Sequence, residues 1–317
     1  MKRYLLLFTL FLISVEAFAQ KPDTVKKTSS ADSLFNSLNA VNNKQNVQVF
    51  ESPRLILVQS TETVKKNNLN FILIHRFGDA AGNEGGGKTY YGLDDIADVY
   101  IGFQYGITND FNIEVGRSTI PKAGGLADLQ LKYAILHQTN DGSSPIAISL
   151  IGQSGVRPYN SFPTFSDRLS YFGEALFARK FSHSFSFEIA PSIVQNNQAI
   201  PYAPGVPDDV FSVSAAARLK VTNFMGIVVD YAHPFSSYRN NNVGFSDPLG
   251  FGIQEVTGGH VFTINVTNAK AVSEINYLSN TTSDYARGQW RIGFTISRNF
   301  DFSHKEVYHP KNEPLNN

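Results

Sequence analysis

The sequence predicts an all-β fold: a closed antiparallel up-and-down transmembrane β-barrel of about 12 strands, with short periplasmic turns and long outer loops. Three observations predict it. Apolar and non-apolar residues alternate with period two from about Val47 to Phe300, the pattern of strands rather than helices. Short and long connections between these stretches alternate without a break. Charged residues are only 17% while aromatics reach 13%, with 25 Phe and 14 Tyr, which suits a protein with much of its surface out of water.

The chain opens with Met-Lys-Arg, the apolar run YLLLFTLFLISV and Ala17-Phe18-Ala19 before Gln20. A basic start, an apolar middle and a small-x-small end form an export signal with cleavage near Ala19. No later segment offers about 18 uninterrupted apolar residues, so any membrane crossing falls to a closed barrel. The chain has no cysteine, which excludes disulfides, a lipoprotein anchor and Cys-based metal or redox chemistry. Lys+Arg and Asp+Glu both number 27, so no charge imbalance points to nucleic acid.

Strands are expected near 68–77, 98–107, 110–118, 126–137, 145–154, 169–180, 184–194, 209–219, 223–233, 250–257, 259–267 and 289–300. In the last, Trp290, Ile292, Phe294 and Ile296 share one face, while Arg291, Gly293, Thr295 and Ser297 share the other. Most of these stretches have the ~9–11 residues that a tilted strand needs to cross a bilayer.

The connections at 108–109, 138–144, 181–183, 220–222 and Gly258 are short, and those at 78–97, 119–125, 155–168, 195–208, 234–249 and 268–288 mostly long. All long ones therefore lie at one end, and both chain ends lie at the other, the arrangement of an outer-membrane barrel. Aromatics gather near strand ends, as interface girdles do: Tyr90, Tyr91, Tyr105, Phe111, Tyr171, Phe181, Phe185, Tyr231, Trp290 and Phe300.

The chain divides into a signal peptide (1–19), a polar periplasmic linker (20–66), the barrel (67–300) and a polar C-terminal tail (301–317). A short helix is expected around Ser33 to Val41. The stretch RLILVQST within 47–66 reads as a strand, but a thirteenth wall strand would break the loop alternation. It is expected inside the lumen or at its periplasmic mouth, as a partial plug.

Alternation turns Arg76, Asp98, Glu114, Asp128, Lys132, Glu174, Glu188, Arg218, Asp230 and Arg291 toward the lumen. Both signs are present, which implies weak selectivity in an open pore or a salt-bridged, largely occluded bore.

Other chemistries find little support. Gly82 to Thr89 (GNEGGGKT) fits the phosphate-loop pattern, but a strand follows it instead of the helix whose N-terminus would hold a phosphate. No nucleotide is expected. Glu84, Asp94, Asp95 and Asp98 cluster next, with spacing that matches no calcium loop, so no metal or other cofactor is expected. A barrel-embedded hydrolase needs Ser, His and an orienting group together on the lipid-facing rim. His75 points outward, but no Ser-plus-Asn pair faces it, and His233 and His260 sit at strand ends. No catalytic residue is assigned.

The phrases HRFGD (75–79), YGLDDIADVYIGFQYGITNDFNIEVGRS (91–118), TGGHVFTINVTNAKAVSE (257–274) and GQWRIGFTISRNF (288–300) resemble a Bacteroidetes β-barrel family, domain of unknown function 5777, over about Phe50 to Phe300. The resemblance implies an outer-membrane barrel and no substrate. It marks His75, Arg76, Gly92, Asp94, Arg117, Gly258, Gly259 and His260 as motif residues without roles.

Together these features imply contact with outer-membrane lipid and passage of small polar solutes or ions. The alternative is a non-transporting barrel that anchors or receives a periplasmic or surface protein partner.

Overall fold

A computed structural model describes residues 44–119, 125–158, 162–197, 209–241 and 244–302. The signal peptide, the helix expected around Ser33 and nearly all of the C-terminal tail lie outside the described residues. No described helix is long and apolar enough to cross a membrane.

Twelve strands close into one antiparallel barrel, each paired with its sequence neighbours and β1 paired with β12. They are β1 (Asn68–Phe77), β2 (Ile96–Gly106), β3 (Phe111–Ser118), β4 (Ala127–Leu136), β5 (Ala147–Val156) and β6 (Leu169–Lys180). The ring continues with β7 (Phe185–Asn196), β8 (Asp209–Lys220), β9 (Met225–Phe235), β10 (Leu249–Thr257), β11 (His260–Thr267) and β12 (Arg291–Asp301). The period-two pattern locates both ends of every one to within two residues. Two short helices lie in connections: α1 (Ser237–Asn241) and α2 (Glu274–Ser279).

Closure satisfies the backbone groups that an open edge would leave to lipid. The alternation then decides which side chains meet the bilayer. On β2, Ile101, Phe103 and Tyr105 are exposed while Tyr100, Gly102 and Gln104 are buried. On β11, Phe262, Ile264 and Val266 are exposed while Thr263, Asn265 and Thr267 are buried. Apolar side chains therefore clothe the outside, and polar ones fill the bore. A soluble sandwich would reverse this.

The bore itself is uneven. Its β1–β4 arc is polar, with Arg76, Asp98, Glu114, Gln130 and Lys132 buried. Strands β5–β9 add an apolar patch including Ile151, Leu176, Val194, Val210 and Val228, interleaved with the buried charges Glu174, Glu188, Arg218 and Asp230.

The structure differs from the expectation at one long connection. Residues 268–283 do not extend outward: Ala269, Val272, Glu274, Ile275, Tyr277 and Leu278 are all at most 1% exposed. The segment folds back into the bore because its apolar residues find cover there, and α2 forms within it.

Ile264, near the middle of β11, is 68% exposed on the lipid face. Ile264→Arg should lower barrel stability by about 2–4 kcal/mol if the position lies at the bilayer midplane. The loop variant Glu84→Arg should stay within about 0.5 kcal/mol of the parent. Denaturant titration of protein refolded into lipid vesicles measures both.

Candidate functional site

Residues 45–66 come just before the first wall strand, and they run inside the barrel. The segment enters at the short-turn end, where Asn46 bridges Thr139 and the Val47 N–H donates to Gln138 O at 2.7 Å. It climbs to a tight tip at Leu55–Val58, closed by Leu55 N–H to Val58 O at 2.9 Å and Ser60 N–H to Pro53 O at 2.9 Å. It then descends to the turn before β3, where the Lys66 N–H donates to Asn109 Oδ1 at 3.0 Å. Asn67, in the left-handed region at φ 62°, turns the chain into β1. Gly106 on β2 lets the returning chain pass, since a Cβ there would collide with the carbonyl oxygens of Val64 and Lys65.

The local sequence explains the hairpin. Pro53 has no N–H to give to a ladder and interrupts strand pairing. The run Leu55-Ile56-Leu57-Val58 then forms an apolar tip, each residue at most 1% exposed and packed in the same cluster as the β5–β9 patch.

A chain this irregular inside a barrel needs partners for its main-chain groups, and the wall supplies them. One oxygen of Asp230, Oδ2, accepts three consecutive tip amides, Ile56 at 2.9 Å, Leu57 at 2.7 Å and Val58 at 3.0 Å. Lys132 Nζ donates to the carbonyls of Pro53 (3.1 Å), Ser60 (3.0 Å) and Glu62 (3.3 Å). Glu188 accepts the Thr61 N–H at 3.0 Å, and Ser149 Oγ donates to Thr61 O at 2.9 Å. Asn112 pairs with both main-chain groups of Val64, at 2.7 and 2.8 Å. Arg76 reaches Ile56 O at 3.1 Å.

The inward-folded segment meets the tip from the other end. Glu274 on α2 forms an ion pair with Arg54 at 2.9 Å and accepts from Gln59 Nε2 at 3.1 Å. The Tyr277 hydroxyl donates to Leu57 O at 3.1 Å. Burial, followed by the nearby Glu274 charge, raises the Tyr277 phenol well above its usual value, which keeps it a donor. The wall holds this segment too: Asp98 accepts the Val272 N–H at 2.8 Å, and Arg76 donates to the carbonyls of Ala269 and Ala271.

The structure buries all ten charged residues assigned to the lumen, none more than 6% exposed. Those not yet placed complete the network. Glu114 and Asp128 accept from the Tyr100 hydroxyl at 2.7 and 3.1 Å. Arg218 donates to Gln254 at 2.7 Å and lies 3.4 Å from Glu51 of the hairpin. Arg291 Nη1 holds Ser283 Oγ at 2.8 Å and Asn268 O at 3.2 Å. Glu174 is buried with Oε2 lacking a hydrogen-bond partner.

The motif residues are scattered. The His75 ring stacks on Phe294 at 5.5 Å on the outer face, and its Nδ1 has no hydrogen-bond partner. Asp94 and Arg117 are exposed, and Gly258, Gly259 and His260 form the turn into β11. Gly92 at φ 85° packs so closely on Gly78 that a Cβ would clash with its carbonyl. The acidic cluster divides: Glu84, Asp94 and Asp95 are exposed on the outer loop, while Asp98 points into the bore. Among the described residues no three potential metal ligands converge. Gly87–Thr89 makes one 3-10 turn, and the next element is a strand.

Attention to charge alone passes over Asn112, Gln130, Ser149 and Tyr100, which the same alternation turns inward. It also misses Glu274 and Tyr277. The available signal there is apolar spacing in AVSEINYL, a helix face inside what reads as an outer loop.

Several solved barrels are similar in outline. A NanC porin structure is 10% identical, with 72% of this chain and 97% of that chain covered at a TM-score of 0.44. A KdgM porin in complex with disordered oligogalacturonate is 7% identical, with 74% and 99% covered at 0.46. The outer membrane protein Omp33 of Acinetobacter baumannii is 9% identical, with 74% and 99% covered at 0.41. Likeness at this level brings no solute and no mechanism to this chain. No curated protein matches it. An even-stranded closed barrel with its short turns at one end is the outer-membrane type, and the outer membrane is its location. The family model for a membrane-bound β-barrel domain, domain of unknown function 5777, matches residues 50–300, and the chain belongs to that family.

Proposed function

We propose that the protein is a passive outer-membrane channel for small polar solutes or ions, closed at rest by its own 45–66 hairpin. The observation that carries this reading is where the polar groups of the bore find their partners. Asp230, Lys132, Glu188 and Arg76 bond mainly to two segments that are not part of the wall. If those segments left, the wall would remain closed, and its inward charged and amide groups would face water together with the β5–β9 apolar patch. Further wall groups already have spare capacity: Gln104, Ser192 and Ser214 are buried with no hydrogen-bond partner for their side chains. Unpaired buried polar groups cost stability, and a wall selected only to be filled would have no use for them. Twelve strands stand between the filled eight-stranded barrels and the open porins of about 16 strands.

The second reading is a barrel closed for good that serves as an anchor or receptor. The interlock of Arg54, Gln59 and Glu274 favours it, because it joins the two inner segments in mid-bore.

In planar bilayers the wild-type chain should be mostly silent, with rare openings. The full-length double variant Leu55→Glu, Leu57→Glu, whose tip can no longer rest on the apolar patch, should show steady open conductance. A folded double variant whose hairpin is accessible to protease but which never conducts would defeat the channel and leave the anchor.

Glu274→Gln leaves Arg54 buried without its counter-charge. Breaking a buried pair in this way costs about 3–5 kcal/mol. Openings should become at least roughly tenfold more frequent, since each 1.4 kcal/mol is a factor of ten. Unchanged gating in single-channel traces would place the latch elsewhere.

A further inference from the structure

We infer that the bore is a binding site for short apolar peptides, and that residues 50–64 occupy it as an internal stand-in. The inference adds a ligand class beyond the small polar solutes proposed above and rests on that reading only for the claim that the bore opens. Its grounds are the kind of contact the wall makes. The wall groups that hold the hairpin take hold of main chain far more than side chains.

Asp230 collects three successive N–H groups with one oxygen. A carboxylate in such an arc of amides is a general device for holding a turn of peptide, since charge-assisted bonds of this kind are among the stronger ones. Lys132 collects three carbonyls from both arms of the hairpin. Asn112 offers its amide to the N–H and the C=O of one residue, the pairing that a neighbouring strand would make. Glu188 and Ser149 do the same for Thr61. None of these bonds depends on which side chain the bound residue carries. Each would form with any peptide of similar path.

The side chains instead meet shape and apolarity. Leu55, Ile56, Leu57 and Val58 share one cluster with the β5–β9 patch, which includes Leu176 and Val228. The small inward residues Ala190, Ala216 and Ala232 belong to the same cluster and present only methyl groups to what packs on them. Polar groups that read main chain, interleaved with an apolar patch that takes aliphatic side chains, describe a peptide site. An oligosaccharide could offer hydroxyls to Asp230 and Lys132, but it has nothing to cover the apolar patch. A simple ion uses neither feature.

The test uses the full-length Leu55→Glu, Leu57→Glu chain in detergent, with folding checked by resistance to unfolding in SDS. Calorimetric titrations compare a peptide of residues 50–62, a scrambled peptide of the same composition, and maltoheptaose. Both peptides should bind within about threefold of each other, and the sugar at least tenfold more weakly. Adding Asp230→Asn should weaken both peptides by roughly tenfold, the loss expected when a bond to a charged group becomes a neutral one. Where the double variant does not fold, Arg54→Ala serves the same titrations, since it loosens the tip by removing the ion pair with Glu274 and the contact over the Tyr100 ring while leaving the wall groups intact. Equal binding of sugar and peptides would overturn the inference, as would binding of the native peptide but not the scrambled one, which would mark a lock cut for one key. The two readings fail separately. Bound peptide without conductance removes the channel and keeps the recognition, whereas conductance that no peptide blocks removes the recognition and keeps the channel.

Discussion

An irregular main chain can enter a dry interior only if its N–H and C=O groups find partners there, and this constraint shapes the molecule. The wall answers its own needs by closing on itself, β1 to β12. The hairpin cannot, because Pro53 and the tight tip prevent a ladder. Its groups are met by side chains projecting from the wall, above all the carboxylate of Asp230 and the ammonium of Lys132. The inward positions therefore had to be polar where they meet its main chain. Between these they had to be apolar, to cover the leucines, isoleucine and valine that bring the tip inside.

The same constraint explains why so many charges are compatible with a filled bore. Removing a carboxylate from water is costly unless hydrogen bonds replace the lost solvent. Asp230 accepts three, Asp98 accepts from Val272 and Thr119, and Glu274 holds Arg54 and Gln59. Main-chain amides do much of this work. An amide is neutral and fixed by its own chain, so it stabilises the anion without adding a cation to be buried.

Much of the wall could be read from the chain alone, because a strand between lipid and a polar bore must alternate, and the alternation is strict in segments such as Val99–Gly106 and Ile292–Ser297. The interior location of 47–66 was also within reach, through the parity of the strand count. What holds it was not. Period two says that Asp230 and Lys132 face inward, but their partners lie 70 or more residues away in sequence, and no local pattern reports such a contact. The segment 268–283 departs from the outer-loop expectation for a related reason. Its position between two strands marked it as an outer loop, and only its apolar content showed that water was the wrong surroundings for it.

The hairpin's bonds are distributed unevenly along its length, and that limits how it can leave. At its base it is tied near the short turns, through Asn109 and Asn112 on one arm and Thr139 on the other, and the second arm continues covalently into β1. At its tip it is held by Asp230, Arg76 and the Tyr277 hydroxyl, all deeply buried, and by the interlock with Glu274. The bonds at the exposed residues Asn46 and Asn109 lie close to the turns, where solvent can replace each bond as it breaks. The tip bonds have no such replacement unless several break together and water follows. The tip is therefore the cooperative element of the pair, held or released as a unit, and the base acts as its tether. An arrangement of this kind resists gradual loosening, because a half-withdrawn tip would leave Asp230 and Arg54 buried without partners, a state less favourable than either end point.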